Sequence, residues 1–154
     1  MSTNALVILQ NMKTALAAIN GAGSFKTTVK RVEYWTNPTV GIDPGLMPWI
    51  GIRPVTDVGP HQPDGRVQRD LTVKLHCIVT ASSPANTIAL AMNLGDDIFE
   101  ALNVDTHRGT TGGVYNAVAT YVGDWTFEEY TPDNNFAAIM VDVRVRYHRT
   151  TRAS

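Results

Sequence analysis

The residue types that most often carry catalysis are sparse in this sequence. Its single cysteine, Cys77, could act as a nucleophile, but it alternates with Leu75 and Val79 along one side of a predicted strand. A thiol on an apolar strand face usually acts as a small core side chain, because the reactive species is an exposed thiolate. We therefore predict a structural role for Cys77 and no nucleophilic site.

The histidines lack the spacing of a zinc site. They fall in two predicted loops and at two outward strand positions: His61, His76, His107 and His148. Asp105 and His107 form an Asp-x-His pair in a loop, which is weak evidence for a metal. The sequence therefore predicts neither a metal centre nor a bound cofactor.

Two other groups of residues could suggest chemistry and are better explained by structure. The segment "RGTTGG" at 108–113 lacks the Gly-Lys-Ser/Thr of a phosphate loop and precedes a strand, so a flexible turn is expected. The acidic residues are too dispersed for an acid/base pair and are expected on solvated faces. They cluster in two places: Asp96, Asp97 and Glu100, and Glu128, Glu129 and Asp133.

Composition limits the class of protein. The chain has 154 residues, 44% of them hydrophobic and 18% charged, with a formal net charge of −1, which fits one globular domain over 1–154. This charge gives no general attraction to nucleic acid or anionic lipid. One cysteine forms no internal disulfide, and the N-terminus has neither a basic n-region nor a long apolar run. These features predict synthesis in an intracellular, reducing compartment and no membrane span.

Periodicity predicts two amphipathic helices. The first carries apolar residues at helical spacing and is expected to stop near Gly21: Ala5, Leu9, Met12, Leu16 and Ile19. The second begins with Ser83 as N-cap and Pro84 in the first turn. Its predicted buried stripe consists of Ile88, Ala91, Met92, Ile98, Phe99 and Leu102, with Gly95 allowing close approach to a sheet.

Strict alternation predicts long strands over 66–80 and 136–151, because successive side chains point to opposite faces of a sheet. Other strands are expected over 25–36, 49–57 and 114–130, and Pro54 is expected to place its strand at an edge or to end it early. The fold class is therefore α+β: about five strands in a mostly antiparallel or mixed sheet, in the order α-β-β-β-α-β-β, with both helices packed on one face.

The final two strands are predicted to form a hairpin. Placing Tyr121, Trp125 and Phe127 inward leaves two registers, in which Asp124 faces either Asp142 or Arg144. Opposite charges across a pair are favoured, so the register that pairs Asp124 with Arg144 is expected.

Two loops rich in proline and glycine, 37–48 and 57–66, are long for hairpin connections. At least one of them is predicted to contact a partner and to be mobile in the isolated protein. The basic face of the last strand is either solvated or contacts an acidic surface or a phosphate backbone. Candidate interface residues come from these loops, from the strands beside them and from the last strand: Trp35, Ile42, Leu46, Trp49, Arg53, His61, Arg144 and Arg146.

The order of elements resembles the tail terminator proteins of long-tailed bacteriophages, of the minor tail protein U type. The resemblance spans nearly the whole chain and rests on an N-terminal helix, "PWIGIRPV", "RDLTVKLHCIV", "ANTIALAMNLGDDIFEAL" and the closing "IMVDVRVRY". These are patterns of hydrophobicity and not residue-specific motifs. They therefore indicate a fold, and a fold by itself does not establish a function.

The resemblance implies a virion protein without enzymatic activity. Such a protein would form a homohexameric ring at the head-proximal end of the tail, cap the tube and stop its polymerisation. Its partners would be the major tail tube protein and a head-completion or connector protein, with DNA passing through the ring as cargo. The alternatives are another head-tail connector or neck-completion protein, and a small ligand-binding or enzymatic α+β domain.

Overall fold

A computed structural model describes residues 3–36, 41–59, 66–128 and 135–150. Within these ranges two helices and seven strands follow in chain order, with a short 3-10 turn at Pro44–Leu46: α1 (Thr3–Ala17), β1 (Arg31–Tyr34), β2 (Trp49–Val58), β3 (Arg66–Thr80), α2 (Pro84–Asn103), β4 (Thr110–Thr111), β5 (Val114–Tyr115), β6 (Ala119–Glu128) and β7 (Phe136–Thr150). The predicted α+β class is confirmed. None of the helices in these ranges is long and apolar enough to cross a membrane.

The central element is the antiparallel pair β3–β7. Five strands form the main sheet in the order β1-β2-β3-β7-β6, and the two central strands pair from Arg66↔Thr150 to Thr80↔Phe136. Both helices and one face of this pair share a single apolar core. We call this covered side the inner face and the opposite side the outer face. The alternation predicted for both strands is confirmed by the buried inner row, which includes Leu71, Val73, Leu75, Cys77, Val79, Val141, Val143, Val145 and Tyr147.

Helix α1 buries the predicted stripe, and Ile8 joins it. The helix ends at Ala17, and Ile19 is buried just beyond it. Gly21 has a φ of +72°, the left-handed conformation that glycine adopts without strain. Since it lies past the helix end, Gly21 shapes the following turn and does not cap the helix.

Helix α2 begins as predicted, with the Ser83 hydroxyl accepting a hydrogen bond from the Asn86 amide at 3.2 Å. Half of its predicted buried stripe is wrong, because three of the apolar side chains are exposed: Ile88, Met92 and Phe99. The helix is rotated so that Ala91, Leu94 and Ile98 contact the core. Gly95 explains the rotation, since a Cβ there would lie 2.6 Å from the Trp125 indole.

Among the described residues, β2 is an edge strand only beyond Ile52, in the half that contains Pro54, so the edge position predicted from Pro54 holds for that half. It pairs with antiparallel β3 on one side, while β1 pairs in parallel with residues 49–52 on the other. Pro54 lies beyond the last residue that β1 reaches and beside a register shift against β3. A missing amide hydrogen is tolerated at such an irregularity.

The predicted register of the last hairpin is also wrong. Tyr121 pairs with Arg144 and Trp125 with Val141, and a bulge between Val122 and Trp125 shifts the register. A bulge adds a residue to one strand and so reverses which side chains face inward. Trp125 therefore faces inward as predicted, whereas Tyr121 faces outward.

The glycine-rich segment forms an ordered hairpin of β4 and β5, and it interrupts the strand predicted over 114–130. Gly112 and Gly113 both have positive φ, as the tight hairpin turns that match strand twist require.

Candidate functional site

The outer face of the sheet has two parts, and the first is covered by the chain itself. Trp49 is wholly buried there, with the Trp35 ring edge-on to it at 5.1 Å between centroids. The Trp49 indole nitrogen donates to a Glu33 carboxylate oxygen at 2.9 Å. We call this group the tryptophan cluster, and its other members are Ile42, Leu46, Met47, Ile78, Phe136 and Ala138.

The tryptophan cluster changes the status of four predicted interface residues. Trp49 has no exposed surface with which to contact a neighbour. Ile42, Leu46 and Trp35 are half-buried against the cluster. Within residues 41–48, Ile42, Leu46 and Met47 pack on the sheet, while 37–40 lie outside the described residues.

His76 lies at the margin of the tryptophan cluster and is covered by it. Its ring centroid is 4.9 Å from that of Trp35, and its Nδ1 is 3.3 Å from a Glu128 carboxylate oxygen. His76 Nε2 and Trp35 Nε1 are buried and have no hydrogen-bond partner within the described ranges. The alternation alone predicted an outward, exposed side chain for His76. The structure instead shows that His76 is buried and packs against the cluster.

The second part of the outer face is open and carries the predicted basic residues. Arg53 lies opposite Lys74 on the neighbouring strand, and Lys74 lies opposite Asp142. We call this part the charged surface: Arg53, Asp70, Lys74, Asp142, Arg144 and Arg146. A shallow cavity of about 440 Å³ opens on it, lined in part by Lys74, Arg144 and Tyr121.

Arg144 and Arg146 of β7 each have a neighbour that orients the side chain. The Arg144 guanidinium lies 4.7 Å from the centroid of the Tyr121 ring, a cation–π contact. Arg146 donates to Asp70 at 3.1 Å, and this hydrogen bond raises the pKa of Arg146. Oriented guanidinium groups on an open sheet face can bind carboxylates or phosphates. They supply neither a nucleophile nor a general acid for proton transfer. His61, the remaining candidate, lies outside the described residues.

The polar groups that could suggest chemistry serve structural roles. Cys77 is buried, and burial raises the pKa of its thiol, which keeps it protonated. The Asp105 carboxylate accepts from the amides of His107 and Gly109, at 3.0 and 2.8 Å, and so holds the turn. The His107 ring stacks on Tyr115 at 3.9 Å. In the part of the chain that the structure describes, no three His, Cys, Asp or Glu side chains group as metal ligands.

Sequence reasoning missed two buried charged residues. Asp97 was expected on a solvated face, yet it is 1% exposed and accepts hydrogen bonds from the amides of Lys26 and Thr27 and from the Thr27 hydroxyl. It therefore anchors the turn that follows α1. Its spacing gave a signal, since it lies three residues after Leu94 and four before Ala101, both buried.

Arg108 is the second residue that was missed, and it is fully buried. Its Nη2 donates to the Leu102 carbonyl at 2.5 Å and to the Asp105 carbonyl, so it closes the C-terminal end of α2. Burial lowers the pKa of its guanidinium.

Among the described residues, the sheet has a free edge at each end. Strand β1 is the outer strand at one end, beside α1, and β6 is the outer strand at the other, beside α2. Unpaired strand edges and the side chains beside them are common sites of association.

This geometry can be compared with that of known proteins. Neither a protein-family model nor a curated protein matches the chain. Among solved structures, it is similar to a chain of the "Virion of native gene transfer agent (GTA) particle", with a TM-score of 0.60 and 15% sequence identity over 96% of each chain. The two chains share one fold. At 15% identity the similarity is evidence for a shared fold alone, and it covers nearly the full length of both chains.

Proposed function

We propose that this chain is a structural protein of a phage or phage-like virion. The observation that carries the proposal is the likeness to a chain of the gene transfer agent virion, which covers 96% of both chains and leaves no large part of either unmatched. The roles of Asp97, Asp105 and Cys77 in holding the fold favour a structural function over an enzymatic one.

Within such a particle we propose the role of tail terminator. Copies of the chain would form a hexameric ring at the head-proximal end of the tail, contact the major tail tube protein on one side and a head-completion protein on the other, and let DNA pass through. The order of elements resembles that family, and free edges at both ends of the sheet suit head-to-tail contacts that close into a ring.

Deletion of the gene in the particle that encodes the chain tests this role. Electron microscopy should show tails of abnormal length that lack heads, and the wild-type gene supplied in trans should restore normal particles. Tails of normal length without heads would assign the chain to a neck or connector position instead. Normal particles would overturn both assignments.

The copy number has a separate test. Native mass spectrometry of the complex released from purified tails should give a mass of six chains. Any other number would contradict the hexamer without affecting the position at the tail end.

A further inference from the structure

The apolar residues wrongly predicted to be buried on α2 form an exposed surface. Ile88, Met92 and Phe99 are 49%, 45% and 56% exposed, and they recur at helical spacing on one face. Gly95, on the same face, packs on Trp125, which contacts Phe127 edge-on at 5.5 Å between centroids. Phe127 is 49% exposed. We call these four exposed side chains the apolar ridge.

The opposite end of the sheet has a concave surface. A groove of about 670 Å³ lies between α1 and β1, and we call it the edge groove. It is lined by Gln10, Lys13, Thr14, Ala17, Ala18 and Tyr34. Small side chains leave room on the helix side, and Tyr34 supplies an aromatic wall, with Lys13 Nζ 5.0 Å from its ring centroid.

The two surfaces carry opposite charges. Lys13 lines the edge groove, whereas Arg31 and Glu33 lie on the opposite face of β1 from Tyr34, where they form an ion pair at 2.9 Å that adds no net charge. Beside the apolar ridge lie two acids on α2. Asp96, four residues after Met92, is 3.7 Å from the exposed Lys26, and Glu100 follows Phe99 directly. The groove side is therefore net positive and the ridge side net negative.

We propose that the apolar ridge of one copy docks into the edge groove of the next copy. A protruding apolar surface and a complementary groove at opposite ends of one molecule produce a heterologous contact, which closes into a ring when the rotation allows. A second copy is favoured as the occupant because both complementary surfaces belong to this chain, and their charges attract. This inference rests on the proposed function and specifies the contact that would build the ring.

Two single substitutions each remove one surface. Ala17→Glu fills the edge groove and places a negative charge opposite Asp96 and Glu100, and Phe99→Glu removes the most exposed aromatic ring of the apolar ridge. Both positions are exposed, so circular dichroism and the Tm should match wild type. Val114→Glu is the matched control, because Val114 is 69% exposed in the β4–β5 hairpin and belongs to neither surface.

Sedimentation velocity of the purified chains gives a distinctive expected pattern. Wild type and Val114→Glu should form species larger than a dimer at high concentration, and each of the other two variants should remain monomeric. An equimolar mixture of Ala17→Glu and Phe99→Glu should form a dimer and nothing larger, because it has one intact ridge and one intact groove that can meet.

Several results would overturn the contact. These are assembly of either single variant like wild type, a mixture that stays monomeric, or wild type that stays monomeric at the highest soluble concentration. The proposed function is judged apart from this, by the gene deletion: abnormal tails in the deletion together with normal tails in the Phe99→Glu virion would reject the contact and retain the terminator role.

Discussion

The inner and outer faces of β3 and β7 are made by residues that alternate along the same strands, yet their surroundings differ. The inner face is covered by two helices, and its buried side chains are distributed over many aliphatic residues. The outer face is packed at one end, where the tryptophan cluster covers it, and is open along the charged surface. Neighbouring residues in the sequence can therefore have very different effects on stability, and four experiments test this difference.

The largest effect is expected from Val143→Asp. Val143 is fully buried in the inner row, so the substitution places an unpaired charge in an apolar core and should prevent folding. Arg144→Ala, one residue away on the exposed face, should change the free energy of unfolding by no more than about 0.5 kcal/mol. Circular dichroism during thermal unfolding compares the two. Similar losses of Tm in both variants would contradict the assignment of the faces.

The next effect concerns the packed end of the outer face. Trp49→Ala should lower the free energy of unfolding by about 3–5 kcal/mol, the usual cost of removing a large buried aromatic side chain. It should also increase hydrogen exchange in 42–48, because these residues pack against the cluster. Tyr121→Ala is the control, since Tyr121 is an exposed aromatic residue on the same face. Equal losses in both variants would mean that the cluster adds nothing beyond surface contacts.

A smaller effect is expected where the helix layer depends on a polar contact. Asp97→Asn replaces an acceptor that faces only donors from Lys26 and Thr27, so it should cost about 1–3 kcal/mol of stability. Asp96→Asn removes only an exposed ion pair and should cost at most about 1 kcal/mol. Urea denaturation of both variants measures the difference, and a larger loss in Asp96→Asn would reverse the roles assigned to the two carboxylates.

The smallest effect links the tryptophan cluster to pH. Hydrogen bonds from Arg31 and from the Trp49 indole lower the pKa of Glu33 below its ordinary value of 4.5. A lowered pKa in the folded state stabilises the fold above pH 4.5, and this contribution is lost as the pH falls through the folded value. The stability difference between wild type and Glu33→Gln should therefore shrink in acid, and chemical denaturation at several pH values measures it. A difference that stays constant with pH would mean that these hydrogen bonds do not depend on the charge of Glu33.

The elements that the sequence predicted well are those fixed by local pattern. Strands β3 and β7 alternate strictly, and one helix has a Ser-Pro start, so their positions follow from side-chain direction and capping. The rotation of α2 and the bulge in β6 depend on what two glycines meet in space. Gly95 contacts Trp125, and a Cβ on Gly123 would lie 3.0 Å from the Asp142 carbonyl oxygen. Neither contact is encoded in the neighbouring sequence.

The candidate site was predictable to a similar extent. Alternation placed Arg144 and Arg146 correctly on the outer face, because in a regular strand every second side chain points to the same face. Trp49 was misjudged because the segment that covers it comes from a loop whose path the sequence does not reveal. Asp97 was missed because the Thr27 amide that it binds lies 70 residues away in the chain.

The parallel pairing of β1 with β2 limits how the chain can vary in length. A hairpin can be closed by two residues, but parallel neighbours need a connection of roughly a dozen or more residues that returns the chain to the starting end of the sheet. Residues 35–48 form that connection, and part of it also covers Trp49. Deletions there should detach β1, and with it the wall that Tyr34 gives to the edge groove, whereas insertions can be looped out. Natural variants of this protein are therefore expected to lengthen this segment and seldom to shorten it.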